Sequence, residues 1–188
     1  MRVQDIAHIS LFAALTAVLG LIPRIDVGIV PIPITAQSLG PMLAGCILGA
    51  RRGGLSQTLF LFMVAAGLPL LAGGRGGLGV FTSPSAGFLL AFPLAAAAIG
   101  MATERLWSGL SFIKALIINL VGGVVIVHGC GIPVFAFISA VPLSSAALTM
   151  MIFLPGDCLK ATLAALLAMF VKRGYPLIEQ SANGHLRS

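Results

Sequence analysis

A chain of 188 residues in which 59% are hydrophobic and only 9% charged, with a mean hydropathy of +1.10, cannot clothe a water-soluble domain in polar side chains. The formal net charge of +6 sits on lysines and arginines scattered singly between apolar runs, not gathered into a stripe, which argues against nucleic acid as a partner. Those runs are long, continuous and rich in Ala, Leu and Ile, without the alternation of a membrane barrel; at about 20 residues per crossing they leave room for roughly six transmembrane helices. The expectation is an all-α membrane protein, a single six-helix domain over residues 1–175 followed by a tail over 176–188.

The first span is expected over 6–22, ended by Pro23. Arg2 before an apolar run resembles a signal peptide, but the small residues Ala13, Ala14 and Ala17 lie in the middle of that run, so no cleavage is expected. Residues 23–33 are apolar yet proline-punctuated, an ordered loop at the membrane edge. A second span covers 35–50, Arg51 to Gly54 form a tight basic turn, and a third span covers 55–71. A glycine-rich loop follows, then Ser83 and Pro84 open a fourth span over 84–102. The fifth is placed at 112–135. The sixth, over 143–171, exceeds one perpendicular crossing and holds Pro155 and Gly156, where a kink or break is expected.

Arg2, Arg51, Arg52, Arg105, Lys172, Arg173 and Arg187, with Lys114 nearby, fall on the side shared by both termini, and only Arg24 and Arg75 fall opposite. By the bias of basic residues towards the inside, both termini are expected to be cytoplasmic, with the first and third loops on the outer face. Cys46, Cys130 and Cys158 follow no paired spacing and read as small buried hydrophobes, giving neither a disulfide framework nor a metal site.

The most informative polar feature is Asp157 and Lys160, an acid and a base three apart inside an apolar stretch and therefore on one helical face. Each charge costs about 2.5–3.5 kcal/mol at the bilayer centre on insertion scales, so the two must face each other or a cavity. A self-neutralising pair is one reading; a ligand site beside a broken helix is the favoured one. The formal GxGxxG at Gly74, Gly76 and Gly79 lacks the strand, helix and distant acid of a dinucleotide site, and no P-loop is present. Gly73, Gly74, Gly76 and Gly77 form either a tight turn or a lid, with Arg75 available to a carboxylate. Gln37 can touch a ligand or tie helices together; Asn119, His128, Gln57 and Thr58 are read as helix-to-helix hydrogen-bonders. The pairs Ala13/Ala17 and Gly45/Gly49 permit close helix approach, either inside the bundle or against another subunit. Neither a nucleophile with its base nor a metal-binding cluster is apparent.

Four segments in order, Val30 to Gln37 (VPIPITAQ), Gly67 to Gly77 (GLPLLAGGRGG), Ser83 to Leu89 (SPSAGFL) and Phe153 to Lys160 (FLPGDCLK), resemble the BioY family, the biotin-specific substrate-binding components of energy-coupling factor transporters. The resemblance runs from the first span to the end of the last. It implies a six-helix cell-membrane protein that binds biotin near the outer face, gated by the loops after the first and third spans. It also implies no enzymatic activity and no cofactor, ATP being used by a pair of cytoplasmic ATPases joined through a transmembrane coupling subunit. The family's final-helix acid and base fall on Asp157 and Lys160, and Gln37 with Gly73 to Gly77 fall where its loops shape the pocket. Phe81, Phe88 and Phe92 are candidate apolar walls for the bicyclic ring. Many relatives carry tyrosine where this chain has Phe88, so a ring hydroxyl is missing there. The docking motif of such subunits falls on Ala13 and Ala17. Another vitamin, thiamine or riboflavin, is the alternative cargo, since the fold is shared; an intramembrane enzyme using Asp157 as acid or base, or a scaffold, are the readings from other classes.

Overall fold

Apolar residues with short side chains favour helix throughout, and glycine and proline decide where each helix stops. The computed structural model describes residues 2–26, 28, 32–174 and 177–178, which form six helical rods joined by short connections. These are α1 (Val3–Leu19), α2 (Leu39–Leu48), α3 (Ala50–Ala65), α4 (Ala86–Arg105), α5 (Phe112–Ser139) and α6 (Leu143–Gly174). The tail apart from Leu177 and Ile178, with Arg187, and part of the first loop lie outside the described residues.

Three rods, α4, α5 and α6, are long and apolar enough to cross a membrane on their own. At 1.5 Å per residue their 20, 28 and 32 residues run about 30, 42 and 48 Å, against a hydrocarbon core of about 30 Å. By contrast α2 has ten residues, about 15 Å, or half a crossing. Every residue of α2 from Gly40 to Leu48 is buried, because α1, α3, α4 and α6 surround it. A helix this short is tolerated at membrane depth when protein, not lipid, covers its ends. The outward side chains are the large apolar ones, among them Leu11, Val18, Phe62, Leu94, Phe137 and Phe170, the surface of an integral membrane protein.

Two expectations about the breaks are corrected. Arg51 to Gly54 are not a turn but the first turn and a half of α3. The reversal is made by Gly49 alone, at φ +85°, where a side chain would also collide with the Glu104 carboxylate. Glu104 Oε1 then accepts the Ala50 N–H at 2.8 Å, satisfying an orphan donor at the start of α3. Arg52 reaches back to the Leu48 carbonyl at 3.1 Å and across to Asp5 at 3.6 Å, so α2 also ends with a bonded carbonyl.

The second correction concerns α6. Pro155 and Gly156 do not interrupt it; the irregular turn is 3₁₀, at Met151–Phe153, and the regular helix runs from Leu154 to Gly174. Proline fits there because a first-turn N–H has no intrahelical partner to lose. A further irregularity was not foreseen: α5 widens into a π-helical segment at Val121–Ile126 before resuming at Val127.

Basic side chains gather at one end of the bundle. Arg52 bridges Asp5 and the Leu177 carbonyl, and Lys172 donates to the Trp107 and Leu110 carbonyls at 2.6 and 3.3 Å while lying over the Trp107 ring. The polar cavity lies towards the other end, under the connection between α3 and α4.

Candidate functional site

Asp157 falls in the first turn of the regular part of α6, where the helix dipole favours a carboxylate, and only 5% of it is exposed. Lys160, one turn on, donates to Asp157 Oδ1 at 2.9 Å and to Ser38 Oγ at 2.9 Å. Ser38 Oγ donates in turn to Asp157 Oδ1 at 3.5 Å, so the residue just before α2 closes a three-membered polar cluster with α6. The other carboxylate oxygen, Oδ2, stands 3.6 Å from His128 Nε2 on α5. The acid and base are thus paired with each other, and they also line a cavity.

That cavity has a volume of about 80 Å³ and is open to the outside. The polar wall is formed by Asp157, Lys160, Ser38, His128, Ser85 and Arg75; the apolar wall includes Phe88, Phe92, Phe153, Leu89 and Ile32. A mostly apolar chamber with a few convergent polar groups is the ordinary form of a small-molecule site.

Phe88 is seated by Gly131 of α5: a Cβ there would run into the Phe88 ring, so the glycine makes the notch in which the ring lies. The ring stands edge-on to the His128 imidazole, with centroids 5.7 Å apart, and Phe153 flanks the imidazole from the other side at 6.5 Å. The π-helical segment helps to aim His128. One extra residue per turn shifts everything after it by about 100° around the axis, and His128 is the second residue after that shift.

Of the residues singled out in the sequence, Asp157, Lys160, Gln37, Arg75, Phe88 and Phe92 line this one cavity. Gln37 does so with its amide already engaged: Nε2 donates to the Thr16 and Leu70 carbonyls at 3.2 and 2.9 Å, and Oε1 accepts the Ala72 N–H at 2.9 Å. It ties α1 and the glycine-rich connection to the start of α2. Arg75 is half-buried, and its guanidinium is pushed below its usual pKa first by burial and then by the Arg24 charge, with Asp26 offsetting in part. An anion beside it would relieve both effects. Gly73, Gly74, Gly76 and Gly77 present Arg75 without lining the cavity themselves; Gly73, Gly74 and Gly77 take positive φ.

Phe81 does not reach the cavity. It packs against the apolar cluster that holds Phe60, Leu61, Val64 and Val80. Ala13 is 1% exposed in that same cluster and Ala17 is half-buried, so the small pair forms a seam inside the bundle, against α3, and not an outward face of α1. Gln57 Nε2 donates to Thr16 Oγ1 at 3.1 Å, the interhelical tie expected of it, whereas Asn119 and Thr58 bond carbonyls of their own helices. His128 was read as a tie and instead faces the cavity. Ser38, Ser85 and Phe153 were not singled out at all. The signal for Ser38 was its place directly after Gln37 in the VPIPITAQ segment.

No group of three or more His, Cys, Asp or Glu able to hold a metal occurs among the described residues. The BioY family profile matches residues 1–177. The chain is 44% identical to the biotin transporter BioY of Rhizobium etli, over 97% of this chain and 100% of that protein. It is 45% identical to the probable biotin transporter BioY of Bacillus subtilis, over 94% and 95% of the two chains. Among solved structures, the S-component for biotin from an ECF-type ABC transporter superposes with a TM-score of 0.89 at 33% identity, covering 93% of this chain and 94% of that one. With the family profile spanning nearly the whole chain and full-length relatives well above 40% identity, this protein is a member of the BioY family.

Proposed function

We propose that this chain is the biotin-capturing subunit of an ECF-type transporter, taking up the vitamin as the substrate-specific component and catalysing no reaction itself. The observation that carries this reading is an acid–base pair kept at membrane depth on the wall of a mostly apolar cavity into which several polar groups converge. A self-neutralising pair would need no chamber beside it. Relatives spanning the same length are named for biotin transport, and the matching solved structure is named as the S-component for biotin.

In the proposed complex Asp157 accepts ureido N–H groups of biotin, Lys160 donates to a ligand oxygen, and Phe88, Phe92 and Phe153 enclose the bicyclic ring. Arg75, whose charge Asp26 balances only in part, receives the valerate carboxylate. Gln37 and Gly73 to Gly77 hold and present the connection that carries Arg75. The chain crosses the cytoplasmic membrane six times, α1 to α3 completing their crossings with the help of their flanking loops, and both termini are cytoplasmic. The basic end then faces inward and the cavity outward, in keeping with the bias of lysine and arginine towards the cytoplasm. The partners are a transmembrane coupling subunit and a pair of cytoplasmic ATPases, which supply the ATP chemistry.

Isothermal titration of the purified chain with biotin, thiamine and riboflavin tests the cargo. Saturable binding of biotin alone is expected; no heat with biotin, or stronger binding of another vitamin, would overturn the assignment. Uptake of labelled biotin by cells making this chain with and without the coupling subunit and ATPases tests the partnership.

A further inference from the structure

The imidazole of His128 meets two hydrogen-bond partners of unequal kind. Nδ1 lies 3.0 Å from the Val124 carbonyl, which can only accept, so Nδ1 must carry a hydrogen. In the neutral ring Nε2 is therefore a bare lone pair. It has no hydrogen-bond partner, yet it stands 3.6 Å from Asp157 Oδ2, itself an acceptor. Phe88 and Phe153 both make edge contacts with the ring, at 5.7 and 6.5 Å between centroids. Two acceptors facing each other on a cavity wall need one hydrogen between them.

Apart from water in the open cavity, two sources can supply it. One is a proton on Nε2, which makes the ring a cation and draws it onto Oδ2. The other is a donor brought by a ligand. We propose that His128 is a positioning residue that makes ligand capture compete with a proton: an N–H of the bound ligand and the Nε2 proton take the same place beside Asp157 Oδ2. Binding of an N–H ligand then requires the neutral ring and expels the proton. With Lys160 and Ser38 already on Oδ1, Oδ2 is the oxygen left for a guest, and a protonated His128 would occupy its side towards the ring.

The charged and titratable groups facing His128 are few. Asp157 and Lys160 come from α6 and Arg75 from the connection before α4, while α4 and the start of α2 contribute only Ser85, Phe88, Leu89, Phe92, Gln37 and Ser38. Cys130 is the nearest titratable group on α5 itself. Lys160 is bonded to Asp157, and imidazole is the side chain whose ordinary charge change falls between about pH 5 and 8.

This inference rests on the transport reading, because biotin is the N–H donor used to test it. Biotin is titrated into the purified full-length chain between about pH 5 and 8, in two buffers of different ionisation enthalpy. Affinity is expected to fall by up to about tenfold per pH unit once the ring protonates, with release of up to about one proton per biotin bound. His128→Gln, which can offer an acceptor but does not titrate, is expected to bind with pH-independent affinity, and His8→Gln to retain the parent slope. In protein carrying ¹⁵N-labelled histidine, biotin is expected to convert the His128 ring to its neutral form, a readout that needs no variant to fold. A flat profile in the parent chain, an unchanged slope in His128→Gln, or a ring that stays protonated with biotin bound would each overturn the proposal. Failure to bind biotin at any pH would sink the transport reading instead.

Discussion

Asp157 is held by groups of unlike strength, and removing each should have its own signature. Charge-assisted hydrogen bonds are worth about 1.5–3 kcal/mol and neutral ones about 0.5–1.5 kcal/mol. Asp157→Asn is therefore expected to weaken biotin binding at least tenfold, since it removes the charged acceptor and leaves Lys160 without its counter-ion. Ser38→Ala, which leaves the 2.9 Å ion pair in place, should cost clearly less. Titration calorimetry on both variants checks the order, and an equal loss in the two would contradict it. Gly131→Ala is expected to drive the Phe88 ring from its notch, lowering the thermal unfolding midpoint in detergent by the equivalent of about 1–3 kcal/mol. Asp157 and Lys160 were legible in the sequence because lone charges in an apolar stretch are expensive. Ser38, His128 and Phe153 were not, because a serine, a histidine or a phenylalanine in a membrane helix is ordinary, and only the packing of α2, α5 and α6 brings them together.

At the scale of elements, the hydropathy pattern marked where helices are and left their ends open. The expected turn at Arg51 to Gly54 failed for a physical reason: glycine and arginine pairs look like a loop, but the reversal needed one left-handed residue, and Gly49 supplied it with Glu104 as cap. Gly49→Ala is accordingly expected to destabilise the fold by about 1–3 kcal/mol, the usual cost of a strained backbone position, seen as a lower unfolding midpoint. Glu104→Ala should cost about 0.5–2 kcal/mol through the lost cap. The π-helical turn in α5 had no signature in periodicity, since one extra residue in a run that is apolar all round changes no pattern. The 3₁₀ turn before Leu154 was anticipated only as an irregularity, one turn too late.

For the whole molecule, the helical class and the polar pair that lines the cavity were both readable, and the second of the six rods was read at too great a length. Its ten residues need the other helices around them, which no local window of sequence reveals. The proposed orientation places the connection between α3 and α4 outside and that between α4 and α5 inside. In a Cys158→Ala background, a membrane-impermeant maleimide should label Thr82→Cys in intact cells and Ser108→Cys only after permeabilisation, both positions being exposed. The reverse pattern would invert the topology.

The cavity wall carries one carboxylate against an ammonium and a guanidinium, a surplus of one positive charge when the imidazole is neutral. Biotin brings a single negative charge. The loaded chamber is then electrically balanced, and since moving one elementary charge through 100 mV takes about 2.3 kcal/mol, occupancy removes the share of the subunit's voltage dependence that the vacant chamber's charge would contribute.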